Sequence, residues 1–447
     1  MAERRRLPVA AAAAACLAVA AAGCGDEQEP VRVAVLTECT GVLEASEGSI
    51  LAVAQLPFIE RGARLRGAGP AEGLEDASVG GRPAELLKGC VVTIDLTRQI
   101  VEVRRLIEKE GADVIIGPVG EQEGVLIRRL ATRYPDVTFV LGSSAAQEPT
   151  LSDPQPNVFR FSADGAQSAA GLAAYAYRDL GWRRAGLVMD PESASWETAA
   201  GFVAEFCALG GTVVSRDLLS AGGLVPDGGA ADRALAARLT REVDGTALID
   251  TYYNPEEFLR AYGRRTASLP RRLVVNGYGF SFPGGLSPGG VDLSGVVFGQ
   301  DVPLDSERPQ WRRHRRAYAR AFPELPLASA AGPLELPVYM GAEAVARALE
   351  RVDGDLGPHG GRLRAALAKV SFEGPAGPIR LDHNRQGIVS VHLRRIEGRG
   401  QRARTVPFRV EREVDQSFAG AFTSKTAPPS LESPECRRGR VPAWAAG

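Results

Sequence analysis

An alternation of short apolar runs with helical patterns, played out once and then restarted, constrains this chain more than any other feature. Val31–Thr37 reads as a strand, Gly48–Arg64 as a helix and Cys90–Leu96 as a strand. Arg98–Glu110 follows as a helix, with Ile100, Val101, Val103, Leu106 and Ile107 on apolar spacing. Val114–Gly117, Gly124–Tyr134 and Thr138–Leu141 continue as strand, helix and strand. The second round reads as helix Ala166–Asp179, strand Arg184–Met189, helix Trp196–Leu209, strand Thr212–Ser215 and helix Ala231–Arg241. Strand Ala247–Thr251, helix Glu256–Arg264 and strands Arg272–Asn276 and Val296–Gly299 complete it. Continuous apolar strands separated by helices imply parallel sheets covered on both faces, so the fold class is α/β with two successive open units. Helices Arg312–Phe322, Val338–Val352 and Arg362–Val370 come next, then two strands with a turn at Asn384 and a Pro-rich tail. Two lobes with a late return of the chain predict a hinge and a cleft. Ligands bind open parallel sheets at the carboxyl ends of their strands. Two such edges facing each other make a clamshell that closes by hinge motion.

Composition excludes the main competing classes. At 447 residues with 45% hydrophobic and 24% charged side chains, the chain buries real cores and is not disordered. Its 53 basic and 54 acidic residues leave a net charge of −1, without the basic surplus of a nucleic-acid binder. Beyond residue 30 no apolar run reaches the roughly 18 residues of a membrane span. Residues 1–23 read as an export signal: Arg4, Arg5 and Arg6 form a positive start, Leu7–Ala22 an apolar stretch, and Ala21, Ala22 and Gly23 precede Cys24. That ending resembles the bacterial lipobox, although Ala21 stands where Leu is usual. The resemblance implies a lipid on Cys24, residues 24–30 as a tether, and an extracytoplasmic protein lipid-anchored to the cell membrane. An ordinary secretory signal or a single-span anchor are the alternatives.

Export changes the reading of the cysteines. Cys16 leaves with the signal and Cys24 carries lipid, so Cys39, Cys90, Cys207 and Cys436 remain. No CxxC pair exists, and an even number outside the cytosol favours disulfides over zinc or thioredoxin-like chemistry. Cys39 ends the first strand and Cys90 starts the next, which neighbouring parallel strands would bring together. Cys207 with Cys436 then follows by elimination and would pin the C-terminal tail. His314, His359, His383 and His392 are scattered without metal-ligand spacing, so no metal and no cofactor are expected. His314, inside the basic stretch Arg312–Arg316, reads as part of a solvated face. No GxSxG elbow, HExxH or P-loop occurs, which argues against an enzyme.

Several stretches in consistent order resemble the type I periplasmic binding proteins, specifically the leucine/isoleucine/valine-binding group of ABC-transporter solute-binding proteins. Val33-Ala34-Val35-Leu36 with Thr40-Gly41 is similar to that family's first strand and small-residue ligand loop. Gly80-Gly81-Arg82-Pro83 leads into its second strand, and Gly111-Ala112-Asp113-Val114-Ile115-Ile116-Gly117-Pro118 resembles its third strand and following loop. Asn157-Val158-Phe159-Arg160 resembles the crossover to the second lobe, and Tyr252-Tyr253 with Pro255-Glu256 a tyrosine-bearing strand-to-helix junction. Phe372-Glu373-Gly374, Gly377-Pro378-Ile379 and Asp382-His383-Asn384 resemble the closing segment, though Arg385 and Gln386 separate Asn384 from Gly387. The resemblance implies two Rossmann-like lobes joined by a three-strand hinge. Lobe 1 would be 31–161 plus 304–378, and lobe 2 would be 162–295 plus 388–410. Residues 296–303 and 379–387 would be hinge crossovers, with 411–447 as a C-terminal tail. Such proteins capture a small polar metabolite and deliver it to an ABC permease in the cytoplasmic membrane, without covalent chemistry, and this chain is expected to be a monomer.

Family members hold a carboxylate with hydroxyls and backbone N–H groups at strand-to-helix turns. By that resemblance Thr40 and Ser143-Ser144-Ala145 contact ligand, an N-cap being the alternative for the serines. Glu121 and Gln122 occupy a loop where relatives often carry Ser, and a carboxylate there favours an amine over an anion, a solvated rim charge being the alternative. From the second lobe Tyr252 and Tyr253 follow a buried strand and are expected to stack on or hydrogen-bond the ligand, core packing of one of the two being the alternative. Trp196 lies after the Asp190 loop, where relatives commonly place an aromatic that closes over the ligand, ordinary helix packing being the alternative. Tyr278 stands in the region where amino-acid binders carry an acid, which speaks against a standard α-amino acid. The solute is then a small polar metabolite, an amino acid, amide or similar. A ligand-sensing receptor subunit of the same fold and a nucleoside-binding lipoprotein are the alternative readings.

Overall fold

The computed structural model describes residues 28–41, 43–92, 95–220, 228–249, 255–281, 285–300, 302 and 307–447. In chain order the first part comprises β1 (Val31–Glu38), α1 (Glu47–Ile59), β2 (Arg64–Leu65), β3 (Leu74–Glu75), β4 (Ser78–Val79) and β5 (Arg82–Val91). It continues with α2 (Leu96–Glu108), β6 (Val114–Ile116), α3 (Glu121–Arg133), β7 (Thr138–Leu141), α4 (Glu148–Leu151) and β8 (Val158–Arg160). The second part holds α5 (Gly165–Ser168), α6 (Leu172–Arg178), β9 (Arg184–Met189), α7 (Ser193–Ala208), β10 (Thr212–Leu218), α8 (Gly228–Glu242) and β11 (Gly245–Ile249). Next are α9 (Glu256–Gly263), α10 (Leu269–Arg272), β12 (Leu273–Asn276) and β13 (Val297–Gln300). The chain ends with α11 (Pro309–Ala321), α12 (Glu335–Arg351), α13 (Gly361–Leu367), β14 (Phe372–Gly374), β15 (Gly377–Leu381), β16 (Gly387–Glu397) and β17 (Arg404–Val414).

Two large sheets organise these elements. The first runs β4-β5-β1-β6-β7-β8 and the second β10-β9-β11-β12-β13-β16-β15-β14, with β17 beside β16. Within each, the five parallel strands follow the same doubly wound order, the second strand lying outside the first. The alternation of side chains along each strand divides the cores. In the first lobe Val33, Val35, Val114, Ile116 and Val140 face α1, α11 and α12, whereas Ala34, Leu36, Ile115 and Phe139 face α2 and α3. In the second lobe Leu187, Ala247 and Val274 face α6 and α7, while Val188, Leu248 and Val275 face α8 and α9. The α11–α13 helices follow the second lobe's parallel strands in sequence yet pack on the first sheet, and β16 and β17 then return to the second. No helix among the described residues is long and apolar enough to cross a membrane.

Four sequence expectations change. The strand expected at Cys90–Leu96 is β5, Arg82–Val91, with Thr37 opposite Cys90. It lies near a sheet edge with one face partly exposed, so its polar residues hid it and the apolar run after it drew the assignment. The helix expected over Ala166–Asp179 is two, because Gly171 adopts φ 81° between α5 and α6. Ile100 and Val101 are exposed, and α2 turns Gln99, Val103 and Leu106 inward instead. The tail expected after the turn at Asn384 instead opens with β17, whose alternating Arg and Glu residues and Pro407 suit a solvent-facing strand paired to β16.

Candidate functional site

Where the carboxyl ends of the two sheets meet, a cleft of about 580 Å³, continuous with open solvent, lies between the lobes. Ser143 and Ala145 enter it from the turn after β7, and Pro333 and Pro337 from the start of α12. The passage into the second lobe supplies Ala163, Asp164, Gly165 and Ser168. Ala194 and Thr198 come from α7, Ile249 from the end of β11, Asn276 from the end of β12 with Gly277 just after it, and Gln300 from β13. Doubly wound sheets concentrate loops and helix starts at this edge, which is why residues scattered from 143 to 337 converge here.

The wall is a mixture of hydroxyls, amides and small apolar groups. Ser143 Oγ donates to the Val119 carbonyl at 3.3 Å, and Asn276 Nδ2 donates to the Ser168 carbonyl at 3.0 Å. Asp164 is the one ionisable side chain among the described lining residues, and it is fully engaged. Its Oδ1 accepts from the Gln167 backbone N–H at 2.8 Å, while Gln167 Oε1 accepts from the Asp164 N–H at 3.0 Å, a capping box at the start of α5. Its Oδ2 accepts from Gln416 Nε2 at 2.7 Å. Burial pushes the Asp164 carboxyl above the usual carboxylate range, against the pull of the Arg160 guanidinium. The arrangement suits hydrogen bonding to an uncharged polar group more than pairing with a cation.

Beneath the cleft a buried polar network ties the crossing segments together. Arg160, wholly buried, donates to Gln386 Oε1 at 3.1 Å, and the two residues form a parallel bridge. Gln386 Nε2 donates to the Ser162 carbonyl and to Gln167 Oε1, each at 2.8 Å. Gln167 Nε2 reaches the carbonyls of Gly387 and Val414, each at 2.9 Å. These bonds satisfy polar groups where β8, β16 and β17 pass one another.

Of the residues singled out from sequence, Ser143 and Ala145 line the cleft. Ser144 is buried but turned toward α3, where a Cβ at Gly124 would fall 2.1 Å from its Oγ. Thr40 is exposed after β1 and does not line the cleft. Gln122 and Trp196 share a neighbouring pocket, about 650 Å³ with the solvent it opens onto, with Gln147, Leu151 and Thr426–Pro429. There the Trp196 indole N–H is buried without a partner among the described residues. Glu121 begins α3 and Tyr278 a short helical turn, but their side chains, with Tyr252, Tyr253, Cys24 and residues 1–23, lie outside the described residues. Asp164, Ser168, Thr198 and Gln300 were missed. The D-x-x-Q pattern of Asp164-Gly165-Ala166-Gln167 marked a helix start, yet nothing in it said that the start opens onto a cleft.

Cys39 and Cys90 form a disulfide at the carboxyl ends of β1 and β5, and Cys207 joins Cys436. Cys39, Glu47 and Cys90 are the one metal-like cluster among the described residues, and the disulfide occupies both sulfurs. His314 is buried against the Ala330 carbonyl rather than solvated, and burial drives its pKa down to about 4.

Two hinged α/β lobes around a small polar cleft define a binding protein of the clamshell class. The Periplasmic binding protein family model matches residues 30–401, and the chain belongs to that family. An ABC transporter substrate-binding protein from Sphaerobacter thermophilus matches with a TM-score of 0.72 at 23% identity, covering 87% of this chain and 99% of its own. A solute binding protein of an ABC transporter from Rhodopseudomonas palustris, in complex with 3,4-dihydroxy benzoic acid, matches at 0.69 and 19%, covering 86% and 98%. A leucine binding protein from Thermotoga maritima matches at 0.65 and 21%, covering 85% and 98%. No curated protein matches the chain. The family comprises extracytoplasmic solute-binding proteins of type I, which bind small molecules, work with ABC permeases and are not enzymes.

Proposed function

We propose that the chain is a monomeric, lipid-anchored solute-binding protein that captures a small polar metabolite in the interlobe cleft and presents it to an ABC permease. The observation that carries the reading is a cleft walled by Ser143, Ser168, Thr198, Asn276 and Gln300 at facing carboxyl edges of two sheets. With the Asp164 carboxylate already engaged, amides and other uncharged hydrogen-bonding solutes fit this described wall better than the ammonium group of an α-amino acid. Lobe 1 is taken as 31–161 plus 304–378 and lobe 2 as 162–295 plus 388–410, with 296–303 and 379–387 as hinge crossovers. Solute docks first on Ser143 and Ala145. Tyr252 and Tyr253, which follow β11 in sequence, then close over it. Cys24 carries the lipid, and residues 24–30 tether the lobes to the membrane.

A thermal-shift panel of amides, amino acids, polyamines, nucleosides and hydroxybenzoates tests the reading. A solute that binds only the folded protein raises Tm by linkage. Ser143→Ala and Thr198→Ala should each weaken the stabilising compound about 2- to 10-fold, the worth of one ordinary hydrogen bond. Unchanged affinity in both variants would remove the cleft from the account, and a nucleoside as sole hit would favour the nucleoside-binding alternative. Mass spectrometry of the membrane-extracted protein should find a diacylglycerol on Cys24; an unmodified N-terminus elsewhere excludes the anchor.

A further inference from the structure

We propose that the C-terminal segment from Asp415 to Cys436 is a strap across the boundary between the lobes that limits how far the cleft opens. The idea rests on the reading of the lobes as hinged halves. The family match ends at residue 401, and the strap lies beyond it.

The segment starts and finishes on the second lobe and leans on the first between. β17 leaves the second sheet at Val414, and Gln416 follows, 2% exposed. Gln416 Nε2 reaches Thr150 Oγ1 at 3.0 Å and the Gln147 carbonyl at 3.4 Å, both in the first lobe, besides Asp164 Oδ2 at 2.7 Å. Thr426–Pro429 then form one wall of the second cavity, opposite Gln147 and Leu151 of the first lobe and Trp196 on α7. Arg216 of β10 takes the chain back by donating to the carbonyls of Ser430, Leu431 and Pro434. The Cys207–Cys436 disulfide locks that return to α7.

Opening the cleft must swing Gln147, Thr150 and Leu151 away from α7. That motion strips the buried Gln416 amide of two of its three acceptors, leaving it Asp164 Oδ2 alone, and each hydrogen bond lost by a buried group is costly. It also draws Pro428 and Pro429, a stiff pair, off the apolar wall. The disulfide prevents the segment from relaxing by simply moving with the first lobe. A freed tail would lose this restraint.

Small-angle scattering of the oxidised, ligand-free protein tests the strap. Gln416→Leu, and separately Cys207→Ser with Cys436→Ser, should shift the radius of gyration upward, with circular dichroism unchanged. Replacing Thr426–Pro429 by four glycines keeps the disulfide and Gln416, and decides the matter should the cysteine variant fail to fold. Profiles identical to wild type in the folded variants overturn the proposal. Because no solute is added, this outcome is independent of the solute panel: failure there leaves the strap comparison intact, and failure here leaves the clamshell reading intact.

Discussion

Asp164 shows how a single carboxylate shapes the cleft without being available to it. It caps α5, receives Gln416 and stays buried, so Asp164→Ala should lower stability by about 1–3 kcal/mol through a lost cap, a stranded Gln167 N–H and the loss of the shortest Gln416 bond, read from the denaturant midpoint. A second pair of acids sets a pH response. Glu205 is wholly buried and accepts from the backbone N–H groups of Gly171 and Ala174 and from the Trp444 indole. Glu411 nearby is pushed up to about 7, first by burial and then by the Glu205 charge. Its folded-state pKa therefore lies above the unfolded one, and the folded state holds a proton that the unfolded chain releases. Stability should fall as pH rises from about 4.5 through about 7, by on the order of 1–3 kcal/mol for this group. Glu411→Gln should flatten that slope in melts across the same range, and an unchanged slope would assign it elsewhere.

At the scale of elements, the floor of the cleft depends on how closely α5 approaches α7. A Cβ at Gly201 would fall 2.1 Å from the Ala166 carbonyl oxygen, so the two backbones touch where no side chain fits. Gly201→Ala should cost about 1–3 kcal/mol by overpacking, and should displace Thr198, one turn earlier on the same helix, enough to weaken solute binding. Calorimetry of the variant with the best compound from the panel reads both effects, and wild-type values would show that the helices separate freely. The Cys39–Cys90 bridge closes a loop with a sequence separation of 51. Replacing both cysteines by serine should cost up to about 4 kcal/mol if chain entropy dominates, measured by chemical unfolding.

At the scale of the whole molecule, the expected signature of function is compaction. A stabilising solute should reduce the radius of gyration as the lobes close, and a tight binder that leaves it unchanged would point to a rigid receptacle. What the sequence by itself determined was the alternation: buried central strands such as Val114–Ile116 are apolar on both faces, and that local pattern suffices to announce two parallel α/β lobes. The nearness of Cys39 and Cys90 was legible for the same reason, since adjacent parallel strands end side by side. The edge strand β5 and the solvent-facing β17 were not, because half of each strand's surface obeys water rather than a core. Nor was the cleft's true lining: Asp164, Thr198 and Gln300 sit on elements whose local patterns record only caps, helices and strand ends. Only the tertiary structure turned Ser144 inward, moved Trp196 to a neighbouring cavity and laid the tail over it. Periodicity is written residue by residue by burial. Which side chains face one another across a gap between two lobes is set by long-range packing that no local window of sequence contains.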